Sequence, residues 1–244
     1  MVIGVVGDSG SGKTTLSAAI AAEITARVEP SPVTEHSRVT EHSRVTEHSR
    51  VTSICLDDYH RYDRAARSRL DLTALAPECN RLDLMALHLH ALRAGESITK
   101  PVYNHEHGTF DMDEDLTPGD IVIARGLLAL HTAELRSAFD LTVFLDPDPL
   151  LRIRWKIARD TAKRGYTAEQ VIQHIRRRQT DYERYIAPQR AHADVVIMYS
   201  PASDGTLTLR TDVRTERDVS IVLAAAERAR GQAVIAASLP VEAR

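Results

Sequence analysis

The chain has 244 residues, of which 43% are hydrophobic and 27% are charged. These proportions are typical of a globular protein, and they exclude a collagen-like or wholly disordered chain. The length suits one large domain, or one domain with a modest appendage. The formal net charge of −3 disfavours a protein that binds nucleic acid through its phosphates.

The two cysteines, Cys55 and Cys79, do not make a disulfide scaffold, and they fit a reducing compartment. Glycine occurs within the first four residues, too early for the apolar core of a signal peptide. No run approaches the roughly 18 apolar residues of a membrane span. We therefore expect a soluble cytoplasmic protein with no membrane and no nucleic-acid partner.

Short apolar runs alternate with longer amphipathic stretches along the chain. Buried strands are predicted over residues 2–6, 52–56, 121–124, 141–145 and 195–198. Helices are predicted over residues 14–27, 83–93, 149–164 and 168–185. Residues 97–116 have the polar composition of an active-site loop rather than of a core. The alternation predicts an α/β fold, with a mostly parallel sheet and helices on both faces.

Residues 33–50 contain three identical copies of the hexapeptide VTEHSR, and a fourth copy begins at Val51. In a strand, His36, His42 and His48 would share one face, so a weak metal site is one interpretation. The favoured interpretation is a recent duplication that lengthens a surface loop, since long loops cost little entropy. We place this insertion in a domain of residues 1–199. Residues 200–244 form a predicted appendage, with an edge strand over 206–210 and a helix over 219–230.

Residues 7–14, GDSGSGKT, fit the P-loop pattern and lie between a predicted strand and a predicted helix. Backbone N–H groups of such a loop surround an anion, and the helix N-terminus adds a favourable dipole. We expect Lys13 to contact the β- and γ-phosphates of a nucleoside triphosphate, and the Thr14 hydroxyl to bind Mg²⁺. The predicted ATP contacts are Gly7, Asp8, Ser9, Gly10, Ser11, Gly12, Lys13, Thr14 and Thr15.

Two adjacent carboxylates, Asp57 and Asp58, follow the second predicted strand. The carboxyl ends of parallel strands face the ligand crevice, so an aspartate there can accept the proton of an attacking hydroxyl. Neighbouring side chains point to different sides, and we expect only one of the two to face the site. A polar end to the strand is the alternative.

A second charged group lies on the predicted helix 149–164, where Lys156, Arg159 and Asp160 share one face and Arg164 follows. One interpretation is a solvated charged face. The other is a lid helix that brings cations over a phosphoryl group in transfer.

Six segments together resemble the phosphoribulokinase and uridine kinase family, from Gly4 to about Val196. Their order and spacing match as well, and the LDDYH and YNH stretches are similar to the phosphoribulokinases within the family. The segments are GVVGDSGSGKTTL, ICLDDYHRYDR, LDLM, KPVYNHEHG, WKIARDTAKRGY and YIAPQRAHADVVI.

The resemblance implies a P-loop NTPase-type fold similar to that of nucleoside monophosphate kinases. It also implies ATP-dependent phosphorylation of D-ribulose 5-phosphate to ribulose 1,5-bisphosphate, the Calvin-cycle reaction, with Mg²⁺ as cofactor and a homo-oligomer as the assembly. By the same resemblance, Asp57 is the general base, and Lys156, Arg159 and Arg164 are catalytic cations that act beside Lys13 of the P-loop. The implied substrate contacts are His60, Arg64, Tyr103 and His105, and Asp57 and Asp160 are expected to bind the metal together with Thr14.

Two positions depart from the family pattern. Plant and cyanobacterial members pair a P-loop cysteine with a second cysteine, but this chain has Ser11 at the first place and Cys55 at the second. We therefore predict no disulfide control through this pair. Where the family has a glutamate that helps to hold Mg²⁺, this chain has Arg125, which cannot ligate the ion. Either Arg125 reaches the γ-phosphate, or the enzyme is slow or inactive.

Three functions therefore stay open. The first is an active phosphoribulokinase. The second is a uridine kinase-like enzyme for another ribose-containing acceptor. The third is a nucleotide-binding protein that has lost catalysis, which Arg125 favours.

Overall fold

An eight-stranded sheet forms the centre of the molecule in a computed structural model that describes residues 1–27, 37–39, 44–46 and 51–237. Its strand order is β12-β11-β10-β1-β9-β4-β3-β2. The five strands from β11 to β4 are parallel, while β12, β3 and β2 extend the sheet by antiparallel pairing. The strands are β1 Val2–Gly7, β2 Ser37–Val39, β3 Arg44–Thr46, β4 Val51–Cys55, β9 Ile121–Gly126, β10 Leu141–Leu145, β11 Val195–Pro201 and β12 Leu207–Val213.

Helices cover both faces of this sheet, as the sequence predicts. They are α1 Lys13–Arg27, α2 Arg64–Arg69, α3 Leu82–Ala94, α4 Ala133–Ser137, α5 Pro149–Arg164, α6 Ala168–Arg177, α7 Gln179–Asp181 and α8 Ser220–Ala237. None of the helices within the described ranges is both long enough and apolar enough to cross a bilayer.

The side chains of β1 alternate between two apolar cores, one on each face of the sheet. Val2 and Val6 join the core formed with α3 and α4, whereas Ile3 and Val5 join the core formed with α1 and α8. This alternation follows from the two-residue period of a strand. Burying each such side chain stabilises the fold by about 1.5–3 kcal/mol. The mostly parallel α/β fold is therefore confirmed.

The predicted functional residues lie at the carboxyl ends of the parallel strands. β1 and β4 both pair with β9, so the segments that follow these three strands lie side by side. The glycine-rich loop follows β1, and a 3₁₀ turn over Leu56–Asp58 follows β4. The fold thus brings the P-loop and the paired aspartates together at the carboxyl ends of the parallel strands.

Residues 97–116 are more ordered than their loop-like composition predicts. They form β5 Ile98–Lys100 with β8 Glu114–Leu116, and β6 Tyr103–Asn104 with β7 Thr109–Phe110. Several of their side chains are buried, including Lys100, Tyr103 and Leu116. The composition is that of an active-site loop, but part of the segment is buried, and Lys100 is accommodated there by its ion pair with Asp58.

The predicted helix over 168–185 is divided. α6 ends at Arg177, the short α7 follows, and a π-helical turn spans Tyr182–Ile186. The break lies at Arg178, whose guanidinium is bonded to the carboxylate of Asp8. The single continuous helix predicted from the apolar spacing is therefore wrong, and a long-range contact lies at the position of the break.

The hexapeptide repeats contribute two of the strands, β2 and β3, to one edge of the sheet, so the insertion is not wholly the surface loop that we expected. His36, His42 and His48 lie outside the described residues, and the metal interpretation stays a prediction.

At the other edge, β12 and α8 occupy the places predicted for an edge strand and a helix. The proposed boundary at residue 199 falls inside β11, and α8 packs into the same core as α1. The C-terminal segment is therefore continuous with the main fold as far as the structure describes it.

Candidate active site

The loop between β1 and α1 closes tightly around its glycines. Gly10 has φ of +88°, and a Cβ placed on it would lie 2.8 Å from Cβ of Lys156 on α5. A Cβ on Gly7 would lie 2.7 Å from the carbonyl oxygen of Leu145. Both the backbone conformation and the close approach of neighbouring chain favour glycine at these positions.

Lys13 begins α1 and folds back over the loop. Its Nζ donates to the carbonyl oxygens of Gly7 and Asp8, at 3.0 and 3.1 Å. Burial lowers the pKa of Lys13, while the negative charges of Asp57 and Asp8 act in the opposite direction. Thr14 is exposed beside it in the first turn of the helix.

The two adjacent aspartates point to different sides, as the sequence predicts. Asp57 is half-buried in the turn that follows β4, and its Oδ1 accepts the backbone N–H of Leu127, the residue after β9, at 3.0 Å. Burial alone would raise the pKa of Asp57, but nearby positive charge, that of Lys13 above all, outweighs it. The pKa of Asp57 therefore lies below its ordinary value, and its carboxylate is ionised at neutral pH.

Asp58 turns into the core and forms an ion pair. Its Oδ2 accepts from Nζ of Lys100 at 2.7 Å, and both side chains are fully buried. Glu114 lies 3.6 Å from the same Nζ. This arrangement holds the segment around β5 and β8 against the turn that carries Asp57.

One face of α5 lies directly over the P-loop. Nη2 of Arg159 and Nζ of Lys156 both donate to the hydroxyl of Ser9, at 2.9 and 3.4 Å. Asp160, between them and Arg164, binds all three cations, with distances of 2.7 Å to Lys156, 2.7 Å to Arg159 and 3.4 Å to Arg164. The face that the sequence left open to two interpretations is therefore turned towards the loop and not towards solvent.

Both carboxylate oxygens of Asp160 are occupied by these cations. Burial alone would raise the pKa of Asp160, but Lys156 and Arg159 outweigh it and hold the pKa below its ordinary value. A magnesium ion would have to compete with three positive charges. The geometry fits a counter-ion for the cations better than the metal ligand that the resemblance implies.

The oxygen donors that fit Mg²⁺ at this edge are the Thr14 hydroxyl and the Asp57 carboxylate, because Mg²⁺ prefers oxygen ligands. Within the described ranges, one further group of three potential ligands occurs. It consists of Cys55, Asp58 and His105, whose ligand atoms lie within 4.8 Å of one another. Asp58 is already held by Lys100, and burial raises the pKa of the Cys55 thiol to about 12.

The predicted acceptor residues gather between α2 and the segment of β6 and β7. The ring of Tyr103 lies edge-on to both His60 and His105, with centroids 4.7 and 5.1 Å away. His60 is buried, and its Nδ1 lies 2.9 Å from Oδ1 of Asn80. Burial, reinforced by the charge of Arg67, lowers the pKa of His60 to about 4. His60 is therefore neutral at pH 7.

Arg64 is a predicted substrate contact, but its guanidinium already binds backbone atoms of the protein. Its guanidinium donates to the backbone carbonyl oxygens of His105 and Glu106, at 2.5 and 3.2 Å. These bonds connect α2 to the segment that carries Tyr103 and His105. In this structure Arg64 shapes the pocket wall.

Four basic residues near the site could not be assigned to it from the sequence. Arg67 is buried and donates to the Tyr103 hydroxyl at 2.7 Å, and Lys100 forms the ion pair described above. Arg152 and Arg178 both contact Asp8. The charge of each residue is visible in the sequence, but its direction depends on contacts with residues far away along the chain.

Arg125, the last residue but one of β9, lies directly opposite Cys55 of β4, and its side chain is half-buried. Within the part of the chain that the structure describes, its guanidinium donates no hydrogen bond and forms no ion pair. The Oγ of Ser11, at the other departure from the family pattern, is buried without a hydrogen-bond partner in the described residues. Neither position provides a second thiol for Cys55.

Comparisons with known proteins point to one family. The model of the "Phosphoribulokinase / Uridine kinase family" matches residues 2–205. The phosphoribulokinase of Synechocystis sp. is 44% identical over 148 residues, which cover 61% of this chain and 45% of that protein. The chloroplastic phosphoribulokinase of Spinacia oleracea is 37% identical over 201 residues, which cover 82% of this chain and 49% of the spinach protein. The chain thus matches about half the length of these relatives.

A uridine kinase of Staphylococcus epidermidis is 29% identical over 226 residues, which cover 91% of this chain and 96% of that enzyme. Among solved structures, the phosphoribulokinase from Rhodobacter spheroides superposes with a TM-score of 0.65 at 19% identity, covering 98% of each chain. At that identity the superposition supports the fold alone.

Proposed function

Because the chain belongs to the phosphoribulokinase and uridine kinase family, we propose that it transfers the γ-phosphoryl group of ATP to a hydroxyl of D-ribulose 5-phosphate. The observation that carries the proposal is the position of Asp57 beside the P-loop. The strands that precede the P-loop and Asp57 both pair with β9, and the positive charge of Lys13 helps to hold the pKa of the Asp57 carboxyl below its ordinary value.

In this mechanism the Asp57 carboxylate takes the proton of the attacking C1 hydroxyl. The hydroxyl oxygen bonds to the γ-phosphorus, the bond between that phosphorus and the β–γ bridging oxygen breaks, and ADP leaves. A general base of this kind contributes about 10²–10⁴-fold to the rate. Bound with ATP through Thr14 and Asp57, Mg²⁺ would supply positive charge to the phosphates.

The cations around the loop stabilise the charge that spreads over the transferring group. Lys13 lies on the P-loop, while Lys156 and Arg159 approach from α5 and are held by Asp160. Catalysis of phosphoryl transfer depends mainly on such positioned charges. On the acceptor side, His60, Tyr103 and His105 form the pocket, with Arg67 as its buried positive charge.

A panel of acceptors tests the proposal. Purified protein is incubated with MgATP and, separately, with ribulose 5-phosphate, uridine or ribose, and ADP release is measured. We expect turnover with ribulose 5-phosphate well above the rate without acceptor. Turnover with uridine and none with ribulose 5-phosphate would replace the lead proposal with the uridine kinase-like function.

Arg125 favours a second candidate, a nucleotide-binding protein without catalysis. It introduces a positive charge where the family resemblance implies a glutamate for Mg²⁺. If this charge impairs the site, Arg125→Glu should raise Mg²⁺-dependent turnover, and the wild type should bind ATP without releasing ADP at any Mg²⁺ concentration. An unchanged or lower rate in the variant would make Arg125 part of a working site. Arg154→Glu, an exposed charge reversal on α5, is the control.

A further inference from the structure

The P-loop contains a carboxylate that its phosphate-binding role does not explain. Phosphate is bound by backbone N–H groups, and a negative side chain repels it. Asp8 is nevertheless buried, with only 8% of its surface exposed, and both of its carboxylate oxygens have partners. Its Oδ1 accepts from the backbone N–H of Ser9 at 2.6 Å and from the guanidinium of Arg178, and its Oδ2 lies 3.2 Å from Arg152.

The two arginines reach Asp8 from different elements. Arg152 belongs to the first turns of α5, and its guanidinium also lies over the ring of Tyr182, 4.2 Å from the centroid. Arg178 is at the break between α6 and α7. One carboxylate thus connects the P-loop to both segments that cover it.

The charges in this region are unbalanced without Asp8. Lys156 and Arg159 also contact this side of the loop, since both donate to the Ser9 hydroxyl. Burial and the positive charge of Arg178 lower the pKa of Lys156. These four cations lie close together and repel one another. Asp160 is the counter-ion of Lys156 and Arg159. Asp8 is the counter-ion of Arg152 and Arg178.

We propose that Asp8 is a positioning residue that fixes Arg152 and Arg178 over the P-loop, and that it does so at a cost in ATP affinity. Its negative charge opposes the incoming triphosphate, while the two arginines that it orders are available to the transferring phosphoryl group. If Asp8 were merely structural, its substitution would lower the stability of the protein but would not tighten ATP binding while slowing turnover.

The test is Asp8→Asn, which removes the charge and preserves the shape. We expect MgATP to bind about threefold to tenfold more tightly in titration calorimetry, because one repulsive charge is gone. We expect kcat with ribulose 5-phosphate to fall about tenfold or more, because Arg152 and Arg178 lose their orientation. Asp71→Asn is the matched control, since Asp71 forms an exposed ion pair with Arg177, next to Arg178, and should change neither value.

A double-mutant cycle with Arg178→Gln completes the test. If Asp8 acts through Arg178, the kcat losses of the two single variants should not add in the double variant. Weaker or unchanged ATP binding in Asp8→Asn, or fully additive losses, would overturn the proposal. Asp8→Ser repeats both measurements if thermal unfolding shows that the Asn variant is not folded.

The kcat arm rests on the proposed acceptor, whereas the binding arm needs no acceptor. A wild type inactive towards ribulose 5-phosphate would therefore count against the proposed function and leave the ATP-affinity result to decide the role of Asp8.

Discussion

At the scale of single residues, the direction of a side chain separates chemistry from structure. Asp57 and Asp58 are identical and adjacent, yet the carboxylate of Asp57 accepts the backbone N–H of Leu127, just after β9, and that of Asp58 is buried against Lys100. The sequence predicts that only one can face the site, and the family resemblance indicates which. The structure adds the reason, because the 3₁₀ turn over Leu56–Asp58 directs the two carboxylates apart.

The charge of Lys156 should set the alkaline limit of activity. Burial, reinforced by Arg178, lowers the pKa of Lys156 to about 8. An amine loses its positive charge as the pH rises through its pKa, so kcat should fall above about pH 8. In Lys156→Arg the charge persists, and the fall should move to higher pH. The check is a kcat–pH profile of both proteins from direct ADP detection, and an identical alkaline limb would refute this assignment.

At the scale of elements, a buried ion pair fixes the segment that carries the acceptor residues. Lys100 contributes from β5, and Asp58 from the turn after β4. Lys100→Met would leave the Asp58 charge buried with its closest cation removed, and we expect a loss of about 3–5 kcal/mol in the free energy of unfolding. Urea denaturation measures the loss.

The matched control for this prediction is Lys163→Met, at an exposed position on α5. The double variant Lys100→Met/Asp58→Leu should regain much of the lost stability, since both buried charges are then absent. A change below 1 kcal/mol in Lys100→Met would show that the pair does not hold the segment.

The elements also show where sequence patterns stop being informative. The apolar spacing over 168–185 is regular, but the helix breaks at Arg178, which donates to Asp8, 170 residues earlier in the chain. The polar composition of 97–116 resembles a loop, but Lys100 pairs with a carboxylate 42 residues earlier. By contrast, the P-loop is a local motif whose strand and helix adjoin it, and its place could be predicted fully.

At the scale of the whole molecule, the sheet order could be predicted only in class. Alternating strands and helices indicate a parallel α/β fold, which the structure confirms. Which strands neighbour β9, and therefore which loops meet at its end, depends on pairing between distant segments. The residue roles came from the resemblance and remain predictions, while the structure brings most of the predicted residues to one edge.

The hexapeptide insertion should be dispensable. Deleting residues 39–50 removes two repeat copies in register, together with β3, which among the described residues pairs with β4 at Arg44 and Ser53. Shortening a loop changes its closure entropy by only about 0.6 kcal/mol per halving of its length. We expect nearly unchanged activity and a melting temperature within about 5 °C of the wild type, as 1 kcal/mol shifts Tm by only a few degrees. A collapse of either would mean that the insertion supports the fold.

The central claim is that Asp57 prepares an alcohol for the phosphoryl group held at the P-loop. The most direct measurement is the rate of phosphoryl transfer from MgATP to ribulose 5-phosphate in Asp57→Asn, beside ATP binding in the same protein. We predict a loss of about 10²–10⁴-fold in the rate with ATP still bound, and no loss in the exposed control Asp113→Asn. Transfer at the wild-type rate in Asp57→Asn would show that this carboxylate is not the general base.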